Sequence, residues 1–385
     1  MNKRIAFAGT RGLPASYGGF ETAVDEITRR FVKAGYACDV FCRRSHSKQM
    51  PAEDNGRRLI YVRGADNPRL ETFVSAFQTG WYLLKHRRNY DHVFWFNNAN
   101  LPGILLSLLA GLPVTVNTDG LEWRRRKWAA PFKAYYFLAS GLISLVVPRL
   151  IADSIGIKDY YSTIFRRETH LIPYGIPDPV DVPQARQAEI LDGFGLEPGG
   201  YFLQITRFEP DNLPLEAARG FVDSGLAGQG FRFVFVGWRE ETPYALMLKQ
   251  ESEQHPALLV LPAVYDPGML FTLRANCFAY VHGNSVGGTN PALLEAMTDC
   301  PRILAYDVVF NREVLAGAGL YFKEDNLAAV FRAAVTQPDQ RNVFKKRVFW
   351  YNWDAVAGSY RNIVEQRVPG YFRPQQTDRP QTAGK

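Results

Sequence analysis

Cysteine is scarce in this 385-residue chain, with Cys38, Cys42, Cys277 and Cys300 the full set. No second pair lies at metal-ligand spacing, and a chain this long does not need disulfide staples. Zinc-finger and disulfide-framework classes are therefore excluded, and buried free thiols in a reducing compartment are expected. The opening residues Met1-Asn2-Lys3-Arg4-Ile5 run straight into an apolar stretch with no signal-peptide core, which leads to the expectation of a cytoplasmic protein. The apolar stretch that ends at Val147 is too short to cross a bilayer and is interrupted by Ser140, Gly141 and Ser144. A Walker A loop is absent. The glycines Gly9, Gly12, Gly18 and Gly19 do not spell the dinucleotide fingerprint, and no lone acid closes a second strand at the ribose position, which argues against a dehydrogenase. Zinc-finger spacing and homeodomain-like or RNA-recognition signatures are missing too. The moderate net charge of +7 thus points to nucleotides, diphosphates or an anionic membrane surface, and nucleic acid is not expected as a partner.

What is present is ample apolar content, 46% hydrophobic and 14% aromatic, enough for full cores. The length suggests two domains. Short apolar runs at Ile5–Ala8, Asp39–Cys42, Leu59–Val62, Val93–Phe96, Val114–Asn117 and Leu150–Ala152 read as strands of one parallel sheet, with helical stretches such as Phe20–Ala34 and Leu70–Lys85 between them. A second set covers Tyr201–Ile205, Phe233–Val236, Leu258–Leu261, Phe278–His282 and Arg302–Ala305. Strand–helix alternation in two sets of similar size predicts an α/β protein of two doubly wound, Rossmann-like domains facing one cleft. The proline-rich Pro173–Pro183 is a hinge candidate, Phe344–Gln366 is expected to be helical, and the polar composition after Pro369 reads as a frayed tail. The expected division is 1–172, 173–343, a closing helix 344–368 and a tail 369–385.

The run Val281–Met297 is the most informative. Gly287 and Gly288 with Asn290 let backbone approach a ligand closely, and the helix that follows offers unpaired N–H groups and a positive dipole end for a phosphate or sugar hydroxyl. Glu295 stands about one turn further in, at reach of a ribose diol, and His282 ends the preceding strand. An ordinary glycine turn before a buried helix would give the same pattern, and a lone histidine is often a core residue. The first strand ends in a second glycine loop, Gly9 to Thr22, which should lie at the carboxyl ends of the strands where ligands of open α/β sheets bind. Within it, Gly18 and Gly19 precede a helix whose Glu21 is favoured by the macrodipole, either as a capping acid or as a ligand contact. Asp119, beside Gly120 at a strand end, is either a turn residue or a carboxylate facing a ligand.

These loops carry a family resemblance that spans almost the whole chain. Gly18-Gly19-Phe20-Glu21 resembles the G-G-x-E loop of glycosyltransferase family 4, and the longer run Gly9–Thr22 is similar to that of a bacterial rhamnosyltransferase subfamily of cell-wall and capsule synthesis. Asn117–Arg124, Ile151-Ala152-Asp153-Ser154, Ile172–Gly175 and Val281–Met297 repeat the resemblance in the right order. It implies the GT-B fold, with a first domain for the acceptor, a second for the donor and a last helix that crosses back to the first domain. It further implies retention of configuration, no cofactor and no essential metal. On the matched positions it implies donor contacts at Gly18, Gly19, Asn212, His282, Gly287, Gly288, Thr289, Asn290 and Glu295, acceptor contacts at Arg11, Tyr17, Glu21, Glu122 and Arg124, and chemistry at Asp119 and Arg207.

Two departures stand out. The family's Glu-x7-Glu becomes Gly287…Glu295, which suits a 6-deoxy sugar with one hydroxyl fewer. The Gly-Arg-x4-Lys clamp becomes Thr206-Arg207…Asn212, which removes one cation near a diphosphate, and Arg11 is a possible substitute. Between Trp123 and Leu138 the cations Arg124, Arg125, Arg126, Lys127 and Lys133 interleave with aromatics and meet no acid. That pattern suits an anionic headgroup region or a lipid-diphosphate acceptor, and equally a solvated basic face before a buried helix. The expected activity is transfer of a sugar, L-rhamnose by resemblance, from a nucleotide diphosphate to a lipid-linked saccharide at the inner membrane surface. The alternatives are a sugar-nucleotide 2-epimerase and a non-catalytic assembly protein on the same fold.

Overall fold

The computed structural model describes residues 3–15, 19–46, 49–65, 67, 70–118, 120–124 and 129–367. Asp119, Tyr17, Gly18 and the stretch from Arg125 to Trp128 lie outside that set, and for Arg124 only the backbone is described.

The first sheet holds β1 (Arg4–Ala8), β2 (Ala37–Arg43), β3 (Glu53–Asp54), β4 (Arg57–Val62), β5 (His92–Phe96), β6 (Val114–Asn117), β7 (Arg149–Ala152) and β8 (His170–Leu171). Their spatial order is β3-β4-β2-β1-β5-β6-β7-β8, parallel throughout except for the β3–β4 pair. Every side chain of β5 is buried, which is what a strand covered on both faces requires. The helices of this part are α1 (Gly19–Lys33), α2 (Glu71–Lys85), α3 (Leu101–Leu109), α4 (Ala130–Val146) and α5 (Ile155–Ile164). From β1 the chain steps one way across the sheet to β2 and β4, then back to β5, β6 and β7. Right-handed crossovers therefore put α1 on one face and α2, α3 and α4 together on the other. Gly80 of α2 and Gly103 of α3 let these helices touch backbone to backbone, since a Cβ on Gly80 would fall 2.7 Å from the Gly103 Cα.

The second sheet is all parallel, in the order β11-β10-β9-β12-β13-β14. Its strands are β9 (Tyr201–Ile205), β10 (Arg232–Trp238), β11 (Leu258–Pro262), β12 (Ala279–His282), β13 (Ile303–Tyr306) and β14 (Leu320–Phe322). The helices are α6 (Gln184–Gly193), α7 (Pro214–Ser224), α8 (Pro243–Gln254), α9 (Pro267–Asn276), α10 (Pro291–Asp299), α11 (Val309–Leu315), α12 (Leu327–Val335) and α13 (Arg341–Val348). Phe202, Phe221, Phe233 and Phe331 interlock edge to face at its centre, with centroid separations of 5.1–6.3 Å.

The chain thus forms two compact units, one running to Gly175 and resuming at Tyr351, the other covering Ile176–Trp350. The expected single helix over Phe344–Gln366 is two. Between α13 and α14 (Trp353–Val364) the backbone opens at Asn352, whose side chain accepts the Ala355 N–H at 2.8 Å and starts a new helix. Helix α14 packs on the first unit: the Asn117 amide donates through Nδ2 to the Tyr360 hydroxyl at 2.7 Å, and Arg30 pairs with Asp354 at 2.7 Å. Strands β3, β8 and β14 were not expected, being two or three residues long.

Candidate functional site

In the second unit the polar groups gather where β9 and β12 end. His282 closes β12 and is buried. Burial disfavours its charged form and pushes its pKa down to about 3, so the ring is neutral at neutral pH. It lies nearly parallel to Tyr280, with centroids 6.4 Å apart, and its Nε2 finds no hydrogen-bond partner among the described residues. A buried polar atom without a partner is rare enough to need a reason. On β9, Gln204 donates through Nε2 to the Asn212 carbonyl at 2.8 Å while its Oε1 is likewise unpartnered.

The loop after β12 is pinned at its start. Ser285 donates to the Asp211 carbonyl from both its N–H and its hydroxyl, each at 2.9 Å, and Asn311 donates to the Asn284 carbonyl at 3.1 Å. Further on it opens: a Cβ added to Gly287, where φ is +146°, would meet nothing within 4 Å. Thr289 is buried and Gly288 partly so. Asn290 caps α10, accepting the Ala292 N–H on its side chain at 2.9 Å and those of Leu293 and Leu294 on its carbonyl at 3.1 and 3.2 Å. Pro291 has no N–H. The free N–H groups expected at this helix start are therefore paired within the chain, and the helix offers a ligand its dipole and the glycine backbone before it.

Glu295 does not stand alone. Arg274, which the sequence reading missed, reaches its carboxylate at 2.8 Å and that of Asp299 at 2.9 Å. Burial raises the Glu295 pKa and Arg274 opposes that shift. Arg274 is nearly buried, whereas the Glu295 side chain keeps 30% of its surface, enough for a further contact. Arg207 follows β9 with 40% of its side chain exposed and Glu209 at 3.4 Å. Asn212 is buried and donates to the Arg207 carbonyl at 2.8 Å, so its amide shapes the turn that presents Arg207.

In the first unit, the loop after β1 is held tightly. Gly9 has φ +96°, and a Cβ there would strike the Phe96 carbonyl. Asn100 donates to the carbonyls of Gly9, Phe96 and Asn97 at 3.0, 2.8 and 3.1 Å, which leaves its Oδ1 without a partner. Glu21 is buried and accepts the Arg11 backbone N–H at 2.9 Å, bracing the loop from the start of α1 where Gly19 begins the helix. Arg43, at the end of β2, is also buried, 3.5 Å from Glu71 and 3.2 Å from the Thr72 hydroxyl, and burial lowers its pKa. Glu71 further accepts from Ser45 and lies 3.1 Å from His46 Nε2. Gly9, Thr10, Arg43, Ser75, Thr79 and Asn100 line a small polar cleft. Glu122 is buried in a single turn, Glu122–Arg124. Of this unit's sequence candidates, Arg11, Gly19 and Glu21 come together; Asp119, Tyr17, Gly18 and the Arg124 side chain are not described. Arg43 and Asn100 were missed, although three asparagines, Asn97, Asn98 and Asn100, directly after a buried strand were a readable sign. Among the described residues no three of His, Cys, Asp and Glu assemble as metal ligands.

Comparison with known proteins supplies the fold. A domain of unknown function, DUF1972, matches residues 107–177. No curated protein matches the chain. Among solved structures, sucrose-phosphate synthase from Thermosynechococcus elongatus is similar over 95% of this chain and 99% of its own, with TM-score 0.74 and 16% identity. A glycosyltransferase from Rickettsia africae is similar over 95% and 98%, with TM-score 0.72 and 12% identity. The E. coli trehalose-6-phosphate structure bound with UDP-2-fluoro glucose is similar over 96% and 100%, with TM-score 0.68 and 11% identity. The chain has the GT-B fold of these proteins, two parallel-sheet Rossmann-like domains.

Proposed function

We propose that this protein is a glycosyltransferase of family 4 type that moves a sugar from a nucleotide-diphosphate donor to a lipid-linked saccharide or polysaccharide precursor, with L-rhamnose the sugar implied by the sequence resemblance. The observation that carries the reading is the neutral, buried His282 with an unpartnered Nε2, at a strand end that leads into a loop left open at Gly287. Such an atom suits a sugar hydroxyl or phosphate oxygen, because a ligand there completes a hydrogen bond that the chain itself leaves unmade.

In this reading the second unit binds the donor. Arg207 meets the diphosphate, Glu295 takes the ribose while Arg274 holds it in place, and Gly287 leaves room at the sugar. The first unit binds the acceptor near Arg11, Glu21 and Glu122, with Asp119 and Arg124 contributing. The bond from the anomeric carbon to the diphosphate breaks, the bond to the acceptor oxygen forms with retention, and the acceptor proton passes to the leaving diphosphate. Arg207 stabilises the charge that develops there. No metal or other cofactor is invoked. The UDP-2-fluoro glucose named for the E. coli structure supports a nucleotide sugar as donor class on this fold.

The test is incubation with a panel of nucleotide sugars and a lipid-linked saccharide, read by mass spectrometry. The expected result is free nucleoside diphosphate together with an acceptor heavier by one deoxyhexose. Conversion of one nucleotide sugar into another without transfer would identify an epimerase, and no nucleotide release with any donor would overturn the enzyme reading.

A further inference from the structure

The layer formed by α2, α3 and α4 is inside out. On α4 the buried side carries Tyr136, Ala139, Ser140, Ile143 and Ser144, whereas the outer side carries Leu138, Leu142, Leu145 and Val146. Leu138 is 69% exposed and Leu145 80%. On α2 the buried residues include Ser75, Ala76, Thr79 and Gly80, while Phe77 and Trp81 stack on each other outside at 6.4 Å, half exposed. The charge-free α3 buries Gly103, Ile104 and Ser107 and ends on Leu109, 77% exposed. A surface helix of a water-soluble domain has the opposite arrangement. The helices are neighbours on one face of the sheet, and Phe73 of α2 meets Tyr135 of α4 at 4.8 Å. Of the two readings of the basic run, the one that puts a buried helix after it does not fit α4, which buries one side only.

Charge follows the same pattern. Between Thr72 and Ala152 the sequence carries nine Lys and Arg against three acids (Asp91, Asp119, Glu122), six of the chain's seven net positive charges. Helix α2 ends in exposed Lys85 and the turn after it carries exposed Arg87 and Arg88, with the Lys85 ammonium 5.3 Å from the Trp81 ring centroid. A second copy of the chain would bring this positive rim against itself, and an isologous interface would be repulsive there. No helix among the described residues is long and apolar enough to cross a membrane.

We infer that the α2–α3–α4 face lies in the headgroup layer of an anionic bilayer, with Phe77, Trp81, Leu138, Leu142 and Leu145 inserted and Lys85, Arg87 and Arg88 on the lipid phosphates. The inference goes beyond the proposed activity and needs no turnover to be tested.

The experiment is vesicle flotation of the full chain, with phosphatidylglycerol–phosphatidylcholine vesicles compared with pure phosphatidylcholine. The unmodified protein is expected to float with the anionic vesicles and to bind the neutral ones at least tenfold less. Leu138→Gln/Leu142→Gln/Leu145→Gln changes exposed residues only and should lower the bound fraction at least tenfold, with an unchanged melting temperature. Lys85→Gln/Arg87→Gln/Arg88→Gln should lower it several-fold and flatten its salt dependence. Failure to float with anionic vesicles, flotation indifferent to the leucine substitutions, or a concentration-dependent dimer lost in that triple variant would each overturn the assignment, the last by naming a second copy as the occupant. Loss of flotation with donor binding intact separates this inference from the proposed function.

Discussion

The two glycine loops that end β1 and β12 start from the same chemistry and finish differently. Both follow a buried parallel strand and hold glycine in the left-handed region, at Gly9 and Gly12 in one and at Gly287 in the other. In the first loop the space is full: Gly12, with φ +110°, abuts Cys42, Gly9 abuts Phe96, and Glu21 holds the Arg11 N–H. In the second loop only the start is pinned, while Gly287 faces open space and His282 Nε2 waits unpaired. Glycine serves close packing of the chain against itself in one loop and room for something else in the other. A sequence motif cannot distinguish these, because both uses select the same residue.

Alanine at each position breaks the comparison open. Gly12→Ala combines an unfavourable φ with a collision against the Cys42 backbone, and a stability loss of more than about 3 kcal/mol is expected. Gly287→Ala carries only the φ penalty, about 1 kcal/mol. Urea unfolding of the two variants measures both, and equal losses would erase the distinction between a packed and an open loop.

The carboxylates of α10 sharpen it further. Arg274→Met removes the cation shared by Glu295 and Asp299, and breaking so buried a pair should lower stability by about 3 kcal/mol. Glu295→Gln leaves Arg274 its Asp299 partner, so the loss should stay near 1 kcal/mol while donor affinity falls. If Glu295→Gln unfolds the protein as readily as Arg274→Met, Glu295 is structural alone.

Each unit also holds one buried histidine. His92, 3.0 Å from the Thr115 hydroxyl, and His282 both have their pKa pushed to about 3 by burial. The unfolded chain takes up these protons near the ordinary histidine pKa and the native state does not. Stability is therefore complete above that value and falls as pH drops toward 3. Near pH 5 each should remove roughly 2 kcal/mol. Acid unfolding of His92→Asn and His282→Asn should be flatter than that of the unmodified chain, and a limb unchanged in both would contradict the burial argument.

Much of the fold was legible, and the reason is physical. Strands buried on both faces read as apolar runs, and β6 and β9 begin and end at the expected residues. The break at Asn352 was hidden because Phe349, Trp350, Tyr351 and Trp353 keep the segment apolar through it. Of the candidate positions, His282 closes β12 and Arg207 follows β9, so the apolar runs that mark these strands also marked both residues. Arg274 was not, since it sits inside α9, and only the sheet order brings that helix against α10. The inward serines of α4 were visible as interruptions of an apolar stretch, but which side faces the sheet was not.

The central claim is that the second unit receives a nucleoside diphosphate sugar on Arg207. Calorimetric titration of the full chain and of Arg207→Ala with nucleoside diphosphates tests it most directly. The account expects binding by the unmodified protein and an affinity at least tenfold lower in the variant, as for a charge-assisted contact of about 1.5 kcal/mol. Equal affinities, or no heat of binding from the unmodified chain with any nucleotide, would contradict it.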